Sequence, residues 1–455
     1  MNNLDLYKKA QSLSEIDNAV RFDVPINATH EFYTDFADVR GDFEDKMIYK
    51  SLNVNTKTFT FDAKANPNNK QSLFLAGMRG SGKTSEIAKY VKKLHNPDCF
   101  FCVVCNLDDQ DQGLDLNNME YMDILVFQIE RLLEELKAVN IFLEGSIIQS
   151  LQDWFSERVE EVNKSIKAED GVELEIKAET PSFLSFLSIA AKVKSNLMGS
   201  KESAQKIRTV FKNNFTEFAK KFNIFLEKIN IILREKEIAQ ELLFVIDGLE
   251  KTASTDIRRK VIIDENNRFK QIKAYSIFTL PIELMASTLK LKAAGNHIVS
   301  FPFVKLQERD GTLIEKAINR FTEFVYKRID EKLFDNAETV RKAILLSGGS
   351  PRELLRILEY ASMFSDDDLG LIDINSLNRS VKKLAAETSQ YLSQEDLDSL
   401  KILKENIDQK KQTPFNESFQ ALMENLIIME YNDGTYKRVN PIVAESKLYK
   451  QYVIG

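Results

Sequence analysis

The chain has 455 residues, 43% hydrophobic and 29% charged, and a net charge of −7, which suits two or three domains with apolar cores and excludes a disordered or fibrous chain. The acidic total argues against a wholesale polyanion binder, although local basic stripes are compatible with it. No apolar run reaches the roughly 18 residues of a membrane span, and the opening MNNLDLYKKAQSLSEIDNAV has no apolar core behind a basic start, so the expectation is a cytoplasmic chain with no membrane partner.

Residues 1–50 form an N-terminal arm, polar and interrupted by Asn and Pro, with a short helix at FEDKMIYKSL. A core follows over 51–310. Its first strand, QSLFLAG, ends in glycine and leads into KTSEIAKYVKKLH, where Ile87, Val91 and Leu94 share one helical face. The next buried run, CFFCVVC, places Cys99, Cys102 and Cys105 on an extended segment. Its outer thiols would lie about 20 Å apart and neighbours would face opposite ways, so the run reads as a reduced, buried trio rather than a metal site.

Three further buried strands are expected, LLFVI at 242–246, YSIFTL at 275–280 and IVSFPFV at 298–304. Continuous apolar runs separated by helical stretches predict a parallel sheet covered on both faces. The stretch over 146–236 exceeds a crossover and reads as a mainly helical insertion. It has one helix at 146–168 and another at 204–236, the latter with Ile207, Phe211, Phe215, Phe218, Phe222, Phe225, Ile229 and Ile232 in phase. A helix of that length spans about 45 Å and is expected to project from the core or wrap it. Between the two, Asp170 and Gly171 introduce VELEIKA, a candidate hairpin.

Residues 311–388 read as a helical lid. The last segment, 389–455, runs helix, helix, strand, a turn at Asn432-Asp433-Gly434, and strand, the pattern of a winged helix.

The chemistry concentrates in Gly77-Met78-Arg79-Gly80-Ser81-Gly82-Lys83-Thr84, which satisfies G-x-x-x-x-G-K-[ST] with a strand before it and a helix after it; these residues and the following Ser85 are expected to bind the nucleotide. Glycines let the backbone curl so that successive N–H groups point at phosphates, and the helix N-terminus adds partial positive charge. Lys83 is expected to hold the β- and γ-phosphates of ATP, and Thr84 to ligate Mg²⁺. Asp247, at the end of LLFVID, is the matching acid for Mg²⁺. Glu250 is the candidate to orient or deprotonate the attacking water, because Gly248 stands where many ATPases carry a catalytic glutamate. Thr279 in FTLP is a candidate polar group near the γ-phosphate. In LSGGSPRELLRIL, Pro351 opens a helix, and Arg352 at its first turn is placed to reach the same phosphate.

GMRGSGKT, VIDGLEK, IFTLP and GGSPR, in this order and ahead of a winged-helix pattern, resemble the AAA+ and STAND ATPases, particularly the lineage linking Orc-type initiators with signalling ATPases. The resemblance implies an α/β P-loop core of the ASCE type with a helical insertion, a helical lid and a C-terminal winged helix. Within it Thr279 corresponds to sensor 1, Arg352 to sensor 2, and FADVRG with Arg40 to the adenine-side segment. DGLE departs from the Asp-Glu pair of the fast motors and implies slow hydrolysis that resets a switch. Such proteins resemble ATPase components of prokaryotic antiphage defence, acting through self-assembly or a separate effector. An arginine from a neighbouring subunit often completes the site, and Arg258, Arg259, Arg268 and Arg309 are the candidates.

Nucleic acid is the alternative partner, through the basic stretch 190–228, with nine Lys or Arg against three Glu, or through the winged helix, as in initiators and transposition helpers. The C-terminal segment carries eight basic against ten acidic groups over 391–455, which gives an autonomous DNA reader no charge support.

Overall fold

A computed structural model of the chain describes residues 7–22, 26–41, 43–64, 70, 72–109, 112–167, 181–412, 417–431 and 436–455. The expected hairpin at VELEIKA and the turn at Asn432-Asp433-Gly434 lie outside the described residues.

Five strands, β1 (Ser72–Gly77), β2 (Phe100–Asn106), β3 (Glu241–Asp247), β4 (Tyr275–Pro281) and β5 (His297–Ser300), pair in parallel in the order β2-β3-β4-β1-β5. β5 is shorter than the apolar run 298–304. Phe301 still donates its N–H to Ala76 O at 2.6 Å, but the chain then leaves the sheet. Alternation along each strand divides the apolar residues between two layers. Phe101, Val103, Cys105, Phe244 and Ile246 enter one core, and Phe100, Cys102, Leu243 and Val245 enter the other. Cys102 and Cys105 therefore face opposite sides of the sheet.

The smaller layer holds α1 (Asp45–Ser51) and α2 (Lys83–Leu94), with Ile48, Ile87, Tyr90 and Leu94 buried against the strands. The larger layer holds α3 (Tyr121–Ala138) and the helices of the insertion, α4 (Gly145–Lys167), α5 (Phe183–Leu197), α6 (Lys201–Asn213) and α7 (Phe215–Glu235). The single helix expected over 204–236 is thus two. The chain breaks at Asn214 (φ −106, ψ 15), whose side-chain amide donates back to Val210 O at 2.9 Å while its oxygen accepts from Arg158. At 1.5 Å per residue α7 spans only about 32 Å. The insertion does not stand away from the sheet. Its aromatic seam, with Trp154 at 5.0 Å from the rings of both Phe211 and Phe218, is continuous with the core over β2 and β3.

A second body of helices comprises α8 (Glu315–Tyr326), α9 (Ala337–Leu346), α10 (Pro351–Met363) and α11 (Ile374–Ser389). The N-terminal arm divides, with Phe43, Ile48 and Tyr49 in the smaller layer of the sheet and its earlier apolar residues in the core of this second body. Tyr7, Ile16, Val20, Phe32, Phe36 and Val39 pack among these helices, with the Phe36 ring 4.7 Å from Phe321 and 5.7 Å from Phe324. At the C-terminus, α12 (Gln394–Asp408), α13 (Glu417–Glu424) and the antiparallel pair β6 (Ile428–Tyr431) and β7 (Tyr436–Val439) form a fourth core that takes in Met78, Ile282 and Phe303. Tyr431 Oη donates to Gly348 O at 2.6 Å, joining this unit to the turn before α10. Among the described residues no helix is long and apolar enough to cross a membrane.

Candidate functional site

The sheet brings its chemistry to one edge. β1 ends at Gly77, opposite Pro281 of β4, and Asp247 ends β3 beside Asn106 of β2, so the glycine loop and the acid lie at the same, C-terminal edge of the sheet on either side of β4, where open α/β sheets form their binding crevice. A cavity of about 620 Å³ opens there. Arg79, Gly80, Gly82, Lys83, Thr84, Ser85, Asp247, Glu250, Arg352 and Arg40 all line it.

The loop between β1 and α2 curls because Gly80 (φ +76) and Gly82 (φ +93) adopt left-handed backbone. At Gly80 there is a second constraint, since a Cβ would meet Arg352 Cβ at 3.0 Å; the start of α10 rests directly on the loop. Ser350 reinforces that contact by donating Oγ to Gly80 O at 3.3 Å, while the same oxygen caps α10 by accepting from Glu353 N.

Lys83 is buried, and its Nζ donates to Gly77 O at 2.7 Å and Met78 O at 2.9 Å. Burial lowers its pKa, opposed by the charges of Glu250 and Asp247. Asp247 is pushed the other way. Burial and then the Glu250 charge raise its carboxyl, against hydrogen bonds from Thr84 and Thr279 and the charge of Lys83. Asp247 Oδ1 and Glu250 Oε2 are both buried with no hydrogen-bond partner. Two orphaned carboxylate oxygens beside a hydroxyl and an ammonium are an oxygen-rich donor set that fits a hard divalent cation, which Thr84 and Asp247 would hold. Arg352 is lowered by burial and steadied by Glu250, which links the arginine at the start of α10 to the same carboxylate.

Among solved structures, the chain is similar to the Walker-type ATPase PABY2304 of Pyrococcus abyssi. Identity is 14%, the TM-score is 0.40, and the alignment covers 94% of this chain and 98% of that one. No family model matches the sequence. No curated protein matches it either.

Four expected site residues sit differently from the rest. Met78 is 2% exposed and points away from the cavity into the C-terminal core, where Glu430 N lies 3.3 Å from its sulfur. Ser81 is fully buried under the loop. Arg40 lines the cavity, but its guanidinium braces the loop from below, donating to Ser81 O at 2.8 Å and Pro302 O at 2.6 Å and stacking 4.0 Å from the Phe301 ring. Thr279 is buried beside Asp247, with Ile246 O 3.5 Å from its hydroxyl.

Asn106 and Asp108 were not anticipated. They follow a buried strand in the same way as Asp247, and that pattern, polar groups immediately after an apolar run, was the available signal. Arg79 also acts beyond its loop by donating to Glu250 O. The far end of the cavity was expected only through the adenine-side segment at 36–41, of which Phe36 and Arg40 line the cavity. It is made by Phe22, Ile26, Phe32, Tyr33, Thr34 and Phe36 of the N-terminal segment with Phe324, Arg328 and Leu355 of the second helical body.

Of the arginines considered for a neighbouring site, Arg258 is committed internally. It is 2% exposed, pairs with Glu283 at 2.8 Å and Glu424 at 2.7 Å, and donates to Glu250 O at 3.0 Å. Arg268 lies over the Phe215 ring and Arg309 over Tyr436, while Arg259 is exposed. The basic stretch 190–228 is also partly committed. Lys194 pairs with Glu130, Arg208 with Asp123 at 2.6 Å, and Lys212 with Glu120, all acids of α3 or its cap.

Proposed function

We propose that the chain binds ATP with Mg²⁺ in this cavity and hydrolyses it slowly, as a switch whose two positions are set by the lid. The reading is carried by one observation: Lys83, Thr84, Asp247, Glu250 and Arg352, drawn from three separate segments, meet in a single cavity at the C-terminal edge of a parallel sheet.

Lys83 would exchange its two carbonyl acceptors for phosphate oxygens, a charge-assisted contact in place of neutral ones. The loop N–H groups and the start of α2 face the same charge. The cation held by Thr84 and Asp247 would neutralise phosphate charge as it develops. Glu250, with an orphaned buried oxygen, is the base that orients the attacking water and takes its proton as the bond from the γ-phosphorus to the bridging oxygen breaks, leaving ADP and phosphate.

Arg352 supports the switch, since it touches Gly80 through its own Cβ and answers to the Glu250 charge, so occupancy of the γ-phosphate position bears on how α10 sits. The C-terminal helix, helix and hairpin, in the order of a winged helix, reads the same loop through Met78. Self-assembly or a separate effector would take the output. The DNA-associated alternative draws less support, because Lys194, Arg208 and Lys212 already have carboxylate partners. The defence setting implied by the resemblance draws none from the site.

Phosphate release by wild type, Lys83→Ala and Glu250→Gln tests the reading. Turnover in wild type that is lost in both variants is expected; equal inertness of all three, with ATP still bound, would leave a nucleotide-stabilised scaffold in its place.

A further inference from the structure

The end of the cavity away from the phosphate loop contains a charged group with no carboxylate partner among the described residues. Arg328 is 4% exposed, and its one described hydrogen bond runs from Nη1 to Phe324 O at 3.0 Å. Its guanidinium lies 3.7 Å from the centroid of Phe324 and 5.1 Å from that of Phe32. Burial alone pushes its pKa down to about 9, and no carboxylate among the described residues opposes the shift. Thr34, which lines the same cavity, is 5% exposed, and its hydroxyl oxygen has no hydrogen-bond partner among the described residues.

A buried cation that lacks both an anion and a full set of acceptors is costly, and a fold retains one where something else supplies the acceptors. Both orphans line the cavity, between aromatic and aliphatic walls from Phe22, Ile26, Phe32, Phe324 and Leu355. A flat ring stacks well on such walls, and a bicyclic base offers more face than a monocyclic one. Arginine is a donor only, so what meets it must present an acceptor such as a ring nitrogen or carbonyl; the threonine hydroxyl takes either role.

Resting on the phosphate-site reading above, we propose that Arg328 and Thr34 read the hydrogen-bonding edge of a purine, making them the residues that select the base of the nucleoside triphosphate. The arrangement carries a signature that a merely structural arginine lacks. Without nucleotide, Arg328 is an uncompensated buried charge, so replacing it with an apolar group of similar length relieves the fold while removing a contact to the ligand.

The test is calorimetric titration of the full-length wild type, Arg328→Met, Arg328→Lys and Thr34→Val with the Mg²⁺ complexes of ATP, GTP and inorganic tripolyphosphate, with thermal unfolding of each nucleotide-free protein alongside. Arg328→Met is expected to lower affinity for the preferred purine nucleotide about tenfold or more and to narrow the ATP-to-GTP ratio. Tripolyphosphate affinity should stay within about twofold and the unfolding midpoint should not fall. Arg328→Lys, which keeps a donor, should lie between, and Thr34→Val should cost a few-fold. The proposal is overturned if Arg328→Met binds ATP as wild type does, if it loses tripolyphosphate to the same degree, or if its midpoint falls with base selectivity intact. Wild type binding tripolyphosphate as tightly as ATP overturns the base reading alone. Wild type binding none of the three overturns the phosphate site beneath it.

Discussion

The two ends of the cavity are built on opposite principles. At the phosphate end, one contiguous loop supplies most of the contacts, and its charged groups are either paired or held in a mutual network of Lys83, Asp247, Glu250 and Arg352. At the base end, no two neighbouring elements suffice. The walls come from Phe22, Ile26 and residues 32–36 and from α8 and α10, and the Arg328 guanidinium there has no carboxylate partner among the described residues. A main-chain cradle can be written into eight consecutive residues, because it needs glycines and a helix start. A pocket for a flat base needs side chains gathered from distant segments, and so depends on how the N-terminal segment packs under α8 and α10.

The contrast is sharpest in turnover. Glu250→Gln keeps the shape of the site and removes its base, so hydrolysis should fall about 100-fold or more while ATP·Mg affinity holds. Phosphate release under saturating ATP measures the first and titration the second; undiminished turnover would remove Glu250 from the chemistry.

A smaller loss is expected from Lys83→Ala, about tenfold to a hundredfold in affinity from one charge-assisted contact. It should fall equally on ATP and on tripolyphosphate, because the lysine sits at the end that does not see the base. A loss confined to ATP would merge the two ends and break the comparison.

Arg352→Gln is expected to cost only several-fold for ATP and almost nothing for ADP, since the arginine answers to the γ-phosphate position. Paired titrations with the two nucleotides measure the ratio. Equal effects on both would make Arg352 a packing residue of the lid.

The smallest effect is a fraction of a proton. Burial and the Glu250 charge raise the Asp247 carboxyl, so without a cation its folded-state pKa lies above its unfolded one. The stability associated with that proton is complete below the ordinary aspartate range and is lost as pH rises through the raised value. Cation binding reverses the shift, so association of ATP·Mg in that window should release protons and its heat should depend on the ionisation enthalpy of the buffer. Heat independent of the buffer across mildly acidic pH would separate Asp247 from the cation.

What could be read from the chain alone followed this same division. The loop from Gly77, the strand ending at Asp247 and Arg352 after Pro351 are local patterns, and the buried strands announced themselves as continuous apolar runs. Arg40 was assigned to the ligand because it stood in a recognised segment, whereas its guanidinium holds Ser81 O and Pro302 O, a tertiary contact that no spacing encodes. Met78 matched a motif position whose side chain is unconstrained by phosphate binding, which left it available to the C-terminal core. The break at Asn214 escaped because the apolar phase continues through it from Phe211 to Phe215, and only the geometry of packing two helices around Trp154 requires the turn. The packing of the N-terminal arm has a related character: Phe32, Phe36 and Val39 are too sparse to predict a regular element, yet they are part of the core of the second helical body.

The most direct measurement is calorimetric titration of the intact wild-type chain with ATP in the presence of Mg²⁺. Saturable binding at one nucleotide per chain is predicted, weakened when Mg²⁺ is chelated; no heat of association at any concentration tested, with or without the cation, would contradict the account.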